Sequence, residues 1–424
     1  KLDVAGKLKL ADGTQATGHF LQSDSTGLAS WVPITTSTIL SEPVTPDFSC
    51  FKEVKRTPSL SGPIGIASND NYVYILNTDS PSNIRTFSLA DPAEPVESSY
   101  VNVDFGLQGI ALSTDKACVI NGSSNTLQVF SLSDPSFPVL VGTASVDGPA
   151  DIAVVGNLAY VVNAGSSTLQ IFDISILPNP VLLSSINVSY SPTRLFISGQ
   201  YAYITRTISQ SFTVIDISNP SNPVITFENG FPANYCWDIL VHNQYAYTLI
   251  QDDVIYKLRT ISVEDPQAPE IVTDLNLNFA PLSMDRVGNY IVVTSISYNK
   301  LVIFNISDPA NPSLEAEIAL PGGPYGISIQ GLYAYVSSYV SSELVTVKLG
   351  CQQTISINNL SGESTASTMW ESNGSSIFTN ITKVGIGTNT SHALLQLDNT
   401  LDSRKLVLYE TNNNDHEFLG FGIN

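Results

Sequence analysis

From about residue 51 to 350, the apolar positions fall in short runs rich in Val, Ile, Tyr and Phe, each bounded by Gly, Pro, Asn or Ser. A helix would space apolar residues at i, i+3 and i+4; these runs do not, so they predict short strands. The runs come in groups of four. In one group, Gly148-Pro149-Ala150-Asp151-Ile152-Ala153-Val154 supplies a turn and a first strand, and Leu158-Ala159-Tyr160-Val161-Val162 a second. After a polar loop, Leu169-Gln170-Ile171-Phe172-Asp173-Ile174 forms a third, and a Pro-rich turn leads to a fourth, Val181-Leu182-Leu183.

The last proline of that turn marks the period. It falls at Pro95, Pro138, Pro180, Pro223, Pro269 and Pro312, in steps of 43, 42, 43, 46 and 43 residues. The second strand recurs as Tyr72-Val73-Tyr74, Ala117-Cys118-Val119, Ala159-Tyr160-Val161, Ala202-Tyr203-Ile204, Ala246-Tyr247-Thr248, Tyr290-Ile291-Val292 and Ala334-Tyr335-Val336. Seven copies of a four-strand unit predict an all-β chain: a seven-bladed β-propeller over 49–351, flanked by β-rich segments at 1–48 and 352–424. The third strands Leu301-Val302-Ile303-Phe304-Asn305-Ile306-Ser307-Asp308-Pro309 and Phe212-Thr213-Val214-Ile215-Asp216-Ile217-Ser218 resemble the LVIVD-type repeat. That resemblance covers about 300 residues. It implies the propeller fold and carries no single chemistry.

The phase of the repeat predicts how the ring closes. Leu344-Val345-Thr346-Val347-Lys348-Leu349 is a third strand with no Pro turn and no fourth strand after it, whereas a spare fourth strand, Phe51-Lys52-Glu53-Val54-Lys55-Arg56, precedes the first unit. The last blade is therefore expected to take its outer strand from the N-terminal side. Cys50 precedes that strand and Cys351 follows the last third strand, so a Cys50–Cys351 disulfide is expected to replace the missing turn; the alternative is two unrelated thiols. Closing a loop of ~300 residues stabilises by up to about 5 kcal/mol in the chain-entropy model, and a disulfide implies an oxidising compartment. Cys118 and Cys236 read as unpaired.

The two ends are alike in kind. Residues 1–35 include Lys1-Leu2-Asp3-Val4, Ala11-Asp12-Gly13-Thr14-Gln15 and Gly27-Leu28-Ala29-Ser30-Trp31, and residues 370–398 include Trp370, Val384-Gly385-Ile386-Gly387-Thr388 and Leu394-Leu395-Gln396-Leu397-Asp398. They resemble the stalk segments of tail-fibre-like proteins of phages, large DNA viruses and some bacteria. The stretch Lys405–Ile423 resembles the segment that precedes a self-cleaving intramolecular chaperone domain in such fibres. The resemblance implies a homotrimer, because a short Gly-rich β segment buries too little apolar surface alone. It also implies a propeller inserted into the stalk, its Pro turns toward it. The chain opens on Lys1 without Met, which reads as a processed or partial chain.

Charge narrows the partners. With 38 acidic and 18 basic residues the net charge is −20, which disfavours nucleic acid and anionic membrane surfaces. No apolar run reaches the roughly 18 residues of a membrane span, and no signal peptide is legible. Only 13% of residues are charged, a composition suited to extracellular β structure. Several Asn-x-Ser/Thr sequons, such as Asn121 and Asn305, matter only in a glycosylating host.

The sequence offers no catalytic residues, no metal-ligand spacing and no cofactor motif: His19, His242, His392 and His416 are scattered, and no nucleophile elbow, P-loop or dinucleotide fingerprint occurs. Asp252-Asp253 reads as a solvated acidic pair before a cation site, and the Asp-Pro pairs at Asp91, Asp134, Asp265 and Asp308 as turn formers. Opposite the Pro turns lie the loops expected to carry Arg206, Phe231, Tyr235, Trp237, Asp252, Tyr298 and Tyr339, and the exposed aromatics there, set among Asn and Ser, suit glycan or protein recognition. Tyr235 and Trp237 read equally well as plugs for the irregular 46-residue unit. The expected protein is a non-enzymatic surface fibre protein at a virion surface or outside a cell, whose propeller binds a host-surface glycan or protein receptor. Alternatives are a structural filament component without a dedicated ligand, and a glycan-active enzyme, which would need two carboxylates facing one pocket.

Overall fold

Twenty-eight of the strands form seven antiparallel four-stranded sheets arranged as blades round a central channel. A computed structural model describes residues 48–350, apart from 59, 79, 189–190, 207–211, 230 and 232–234, together with strands at 19–23, 29–33, 371–372, 377–378, 393–398, 404–412 and 415–423. The chain divides into two compact units, Phe48–Cys351 and, together, Lys1–Asp47 with Gln352–Asn424.

Blade 1 runs outward through Pro63–Ser68, Tyr72–Asn77, Asn83–Ser88 and Val96–Asn102. Blades 2 to 6 repeat this plan, with innermost strands Leu107–Leu112, Pro149–Val155, Pro192–Ser198, Tyr235–His242 and Met284–Val287. Blade 7 has Pro324–Gln330, Tyr333–Ser338 and Glu343–Lys348, and its outermost strand is Lys52–Thr57 from the N-terminal side. The closing strand copies the others in detail. In each of blades 1 to 6 the outer pair of strands slips register once, as between Ile171 and Phe172, and Lys52–Thr57 slips at the equivalent place, between Glu53 and Lys55.

Burial explains the hydrophobic runs. The second and third strands are sandwiched between neighbouring blades, so both faces are apolar: Leu158–Asn163 and Thr168–Asp173 are buried at nearly every position. Between blades 2 and 3, Cys118, Ile120, Leu127 and Val129 meet Ile152, Val161 and Phe172. Each such side chain, fully buried, contributes about 1.5–3 kcal/mol. Fourth strands are largely exposed, as Val181–Asn187 is, and read as weaker strands in sequence.

Side chains then fasten each blade to the next. The Tyr74 hydroxyl of blade 1 donates to the Pro135 carbonyl in the Pro turn of blade 2, at 2.9 Å. Tyr335 of blade 7 makes the same bond to Pro92 of blade 1, also at 2.9 Å. In the Pro turns, Asp91, Asp134, Asp265 and Asp308 accept the backbone N–H two residues on, at 2.9–3.0 Å, so these carboxylates hold turns. Where strands meet at two-residue hairpins the backbone turns left-handed: Asn243 (φ 46°) and Gln244 (φ 65°) both do so, as a type I′ turn requires.

Phe48–Cys50 forms a 3-10 turn before the closing strand, and Phe48 sits edge-on to Tyr290 at 4.9 Å. Cys118 and Cys236 are free and buried, and Cys50 is not among the free thiols; Cys351 lies outside the described residues. In the flanking unit, His19–Ser23 pairs with Ala29–Pro33, Glu371–Ser372 with Ile377–Phe378, and Ala393–Asp398, Arg404–Asn412 and Asp415–Ile423 form a three-stranded antiparallel sheet. No helix among the described residues is long and apolar enough to cross a membrane. The remaining stalk motifs, Val384–Thr388 among them, lie outside the described residues.

Candidate functional site at the channel mouth

Six of the seven innermost strands begin with a defect; Met284–Val287 of blade 6 pairs without one. Register slips between Pro63 and Gly65, Leu107 and Gly109, Pro149 and Asp151, Pro192 and Arg194, Cys236 and Asp238, and Pro324 and Ile327. These bulges free the strand start from its ladder and present it to the channel, a placement common beside binding sites. The residue before four of the prolines is left-handed: Gly62, Gly148, Ser191 and Gly323, with φ from 42° to 79°. At Gly323 a Cβ would come within 2.6 Å of Val340, so glycine is required there. Loops on this face are also tied backbone to backbone, Gly165 N to Gly148 O at 3.1 Å and Tyr339 N to Gly323 O at 2.9 Å. The face is thereby set before any ligand arrives.

The six bulges, and the residue just before the innermost strand of blade 6, bring Gly65, Gly109, Asp151, Arg194, Asp238, Ser283 and Gly326, one per blade, round a cavity of about 260 Å3. Three glycines leave backbone on one side, and two carboxylates, a guanidinium and a hydroxyl crowd the other. Asp151 accepts from Ile152 N and, across the blade junction, from Leu195 N, both at 2.9 Å. Asp238 accepts from Ile239 N at 2.9 Å, from Met284 N of the next blade at 2.8 Å, and from Ser283 Oγ at 3.1 Å. Arg194 donates from Nε to Trp237 O at 2.7 Å and from one terminal nitrogen to Thr193 O at 2.9 Å. Its other terminal nitrogen, Nη2, has no hydrogen-bond partner among the described residues.

Electrostatics follows from enclosure. Asp151 and Arg194 keep some surface on the channel yet have protein on all sides. Burial pushes Asp151 up to about 6, against the pull of Arg194. Burial likewise raises Asp238. Burial works against the charge on Arg194, but Asp151 and Asp238 outweigh it and its pKa is raised. Further along, the channel widens to a space of about 520 Å3 walled by residues that include Ala111, Val154, Phe196 and Ile197. There Asp285 is pushed up to about 6 by burial and accepts Ile329 N of the next blade at 2.7 Å.

Aromatic groups rim the polar mouth. Tyr325 lines the cavity and touches Tyr339 on the outer face, ring centres 5.9 Å apart. Tyr235 stacks on Trp237 at 6.2 Å. Tyr235, Tyr298 and Tyr339 are exposed by about half. The structure brings Tyr235, Trp237 and Tyr339 to this rim, with Tyr298 in the adjoining second-to-third-strand loop of blade 6. Two sequence candidates depart from the exposed, free role expected of them. Arg206 is buried and donates to Glu228 at 2.7 Å and to Thr213, because its strand end is covered by the fourth strand of its own blade. Asp252 is held by Lys257 at 2.9 Å, on the hairpin that the eight-residue strands of blade 5 extend. Trp237 is half-buried with its Nε1 unpaired, so the plug reading describes its ring and the rim reading its neighbour Tyr235. Among the described residues no His, Cys, Asp and Glu group could hold a metal ion.

Sequence reasoning missed Asp151, Arg194 and Asp238 as a group. A signal was present: two residues after Pro63, Leu107, Pro149, Pro192, Cys236 and Pro324 the repeats read Gly, Gly, Asp, Arg, Asp and Gly, where an apolar strand would be uniform.

This architecture defines the class, a seven-bladed β-propeller with a polar channel mouth. Residues 149–188, 193–228 and 287–318 match the LVIVD repeat, so the chain carries LVIVD repeats. No curated protein sequence matches it. Among solved structures, Kuenenia stuttgartiensis hydrazine synthase is similar at 16% identity and a TM-score of 0.58, covering 68% of this chain and 96% of that one. A Lactobacillus plantarum protein is similar at 15% identity and a TM-score of 0.55, covering 62% and 86%. The Pseudomonas aeruginosa periplasmic gluconolactonase is similar at 14% identity and a TM-score of 0.54, covering 62% and 86%. Identities this low speak to the fold alone.

Proposed function

We propose that this chain is a binding protein, not an enzyme, whose propeller recognises a host-surface glycan or protein receptor. In this reading the segments 1–48 and 352–424 form a trimeric stalk, and the protein is displayed on a virion or outside a cell. A Cys50–Cys351 disulfide locks the ring at the point where it joins the stalk. The observation that carries the reading is the grouping of half-exposed Tyr235, Tyr298 and Tyr339 on the face that surrounds the channel mouth. Rigid aromatic surface at low entropic cost is what recognition sites use. In each of Asp151, Asp238 and Asp285 both oxygens accept backbone N–H groups, which fixes these carboxylates in place as acceptors with lone pairs to spare for a ligand.

The test is a glycan array and a host-cell binding assay with the full chain. Binding that Tyr339→Ala weakens by about tenfold supports the reading, the usual effect of removing an aromatic anchor. The gluconolactonase neighbour makes gluconolactone hydrolysis the control: turnover by the full chain, with no binding on array or cells, would replace this reading with an enzymatic one.

A further inference from the structure

We propose that the polar end of the channel is a pocket for one neutral sugar ring, gripped through vicinal hydroxyls by Arg194, Asp151 and Asp238 with Tyr325 at its wall. This deepens the glycan reading above and rests on it. A space of about 260 Å3 holds roughly nine waters at ~30 Å3 each, room for one pyranose and its hydroxyls and little more.

Hydrogen-bonding capacity decides the chemistry. Each carboxylate oxygen has two lone pairs. Asp151 uses one on each oxygen for Ile152 N and Leu195 N, leaving one on each. Asp238 has one left on Oδ1, since Ser283 and Met284 both donate to Oδ2. Arg194 Nη2 carries two N–H donors, and the Arg194 side chain borders the cavity. The pocket thus offers donors beside acceptors, fixed by backbone bonds to the blades.

Charge then excludes the simpler ligands. Asp151 and Asp238 oppose an anion, with Asp285 adding to the negative field from further down. Arg194 sits between the two upper carboxylates and already neutralises the pair in part, so a cation entering there would lie against the guanidinium even though the summed charge is negative. What remains is a neutral group that both donates and accepts at adjacent atoms, the pattern of a vicinal diol. Tyr325 completes the fit: it joins the pocket to Tyr339 on the rim, so a ring held in the channel leaves its next residue among the rim aromatics. Rim and channel then read one ligand, a terminal sugar and its neighbour.

Saturation-transfer NMR on the full chain tests this with methyl β-galactoside, methyl α-glucoside and methyl α-mannoside, and with sialic acid and agmatine as anionic and cationic probes. At least one neutral glycoside is expected to bind. Arg194→Gln is expected to weaken it by about tenfold or more, as for loss of a charged donor. Leu140→Ala, on the exposed outer strand of blade 2, is expected to change nothing. Should Arg194→Gln fail to fold, Tyr325→Ala, which leaves the junction bonds of Asp151 and Asp238 intact, is expected to give the same loss. The proposal falls if only sialic acid or only agmatine binds, or if neutral binding survives both variants. Array binding that needs Tyr339 but not Arg194 would overturn the channel pocket and leave the glycan reading standing. A blank array with no neutral glycoside bound would end both.

Discussion

Removing one oxygen tests whether the ring closes as the other junctions do. Tyr335 is wholly buried, and its hydroxyl donates to Pro92 O across the junction of blades 7 and 1 at 2.9 Å. Tyr74 makes the matching bond to Pro135 O between blades 1 and 2, at the same distance. Tyr160 is 4% exposed and has no such bond among the described residues. In Tyr335→Phe the ring stays and one hydrogen bond goes, worth about 0.5–1.5 kcal/mol net, with a further cost if the Pro92 carbonyl stays dry. A loss of about 1–2 kcal/mol is therefore expected. Unfolding entropy near 2.1 cal/mol/K per residue, over about 300 residues, is roughly 0.6 kcal/mol/K, so the melting temperature should fall by about 2–3 °C. Thermal unfolding followed by near-ultraviolet circular dichroism reads this tertiary packing. Tyr74→Phe is expected to match Tyr335→Phe, and Tyr160→Phe to stay within about 0.5 kcal/mol of the parent. If Tyr335→Phe behaves like Tyr160→Phe, or differs from Tyr74→Phe by more than about 1 kcal/mol, the closing junction is not equivalent to the rest.

Three further outcomes are expected. Asp151 and Asp285 are each raised to about 6, so the stability they add is fully present below their unfolded value near 4 and is lost as pH rises through about 6. Asp274 and Glu343 are lowered and act the other way only below about 4. His242, lowered by burial, opposes the trend as pH falls through about 6.5. With the two aspartates outweighing it, the melting temperature should rise from pH 7.5 to pH 5; a flat or rising trend toward pH 7.5 refutes the assignment. Peptide mapping without reductant should recover Cys50 joined to Cys351, and reductant should lower the melting temperature, a stabilisation of up to about 5 kcal/mol; recovery of both as free thiols sinks the bond. Gly326→Ala should destabilise by about 1–3 kcal/mol, since a Cβ there meets Ile64 O, Ile66 and Ser337 at 3.0 Å, whereas Gly109→Ala, with nothing nearer than 3.5 Å, should be mild in the same urea titration.

The blades were legible because a strand buried on both faces must be apolar throughout, and seven such pairs spaced by Pro turns leave a period that the spare strand Lys52–Thr57 completes. The channel was not legible, for a physical reason. Its wall takes one residue from each blade, so its members lie about 43 residues apart and none is anomalous in its own strand. Asp151 looks like any strand-start polar residue until Arg194 and Asp238 are set beside it. Arg206 misled for the converse reason: a charged residue at a strand end reads as exposed, and only the fourth strand, 22 residues on, supplies the Glu228 that buries it. The same geometry separates folding from recognition. Blade cores fix the ring through the second and third strands, while the axial position after each bulge bears little of that packing, being glycine in three blades and charged in three others. Chemistry can therefore change at the axis at small cost to the ring, except where a carboxylate also fastens the next blade. Asp151 and Asp238 do both, so ligand contact and blade junction are expected to respond together when either is replaced; Arg194 also reaches the next blade, through Nε to Trp237 O, so its replacement removes that one junction bond and leaves those of both aspartates in place.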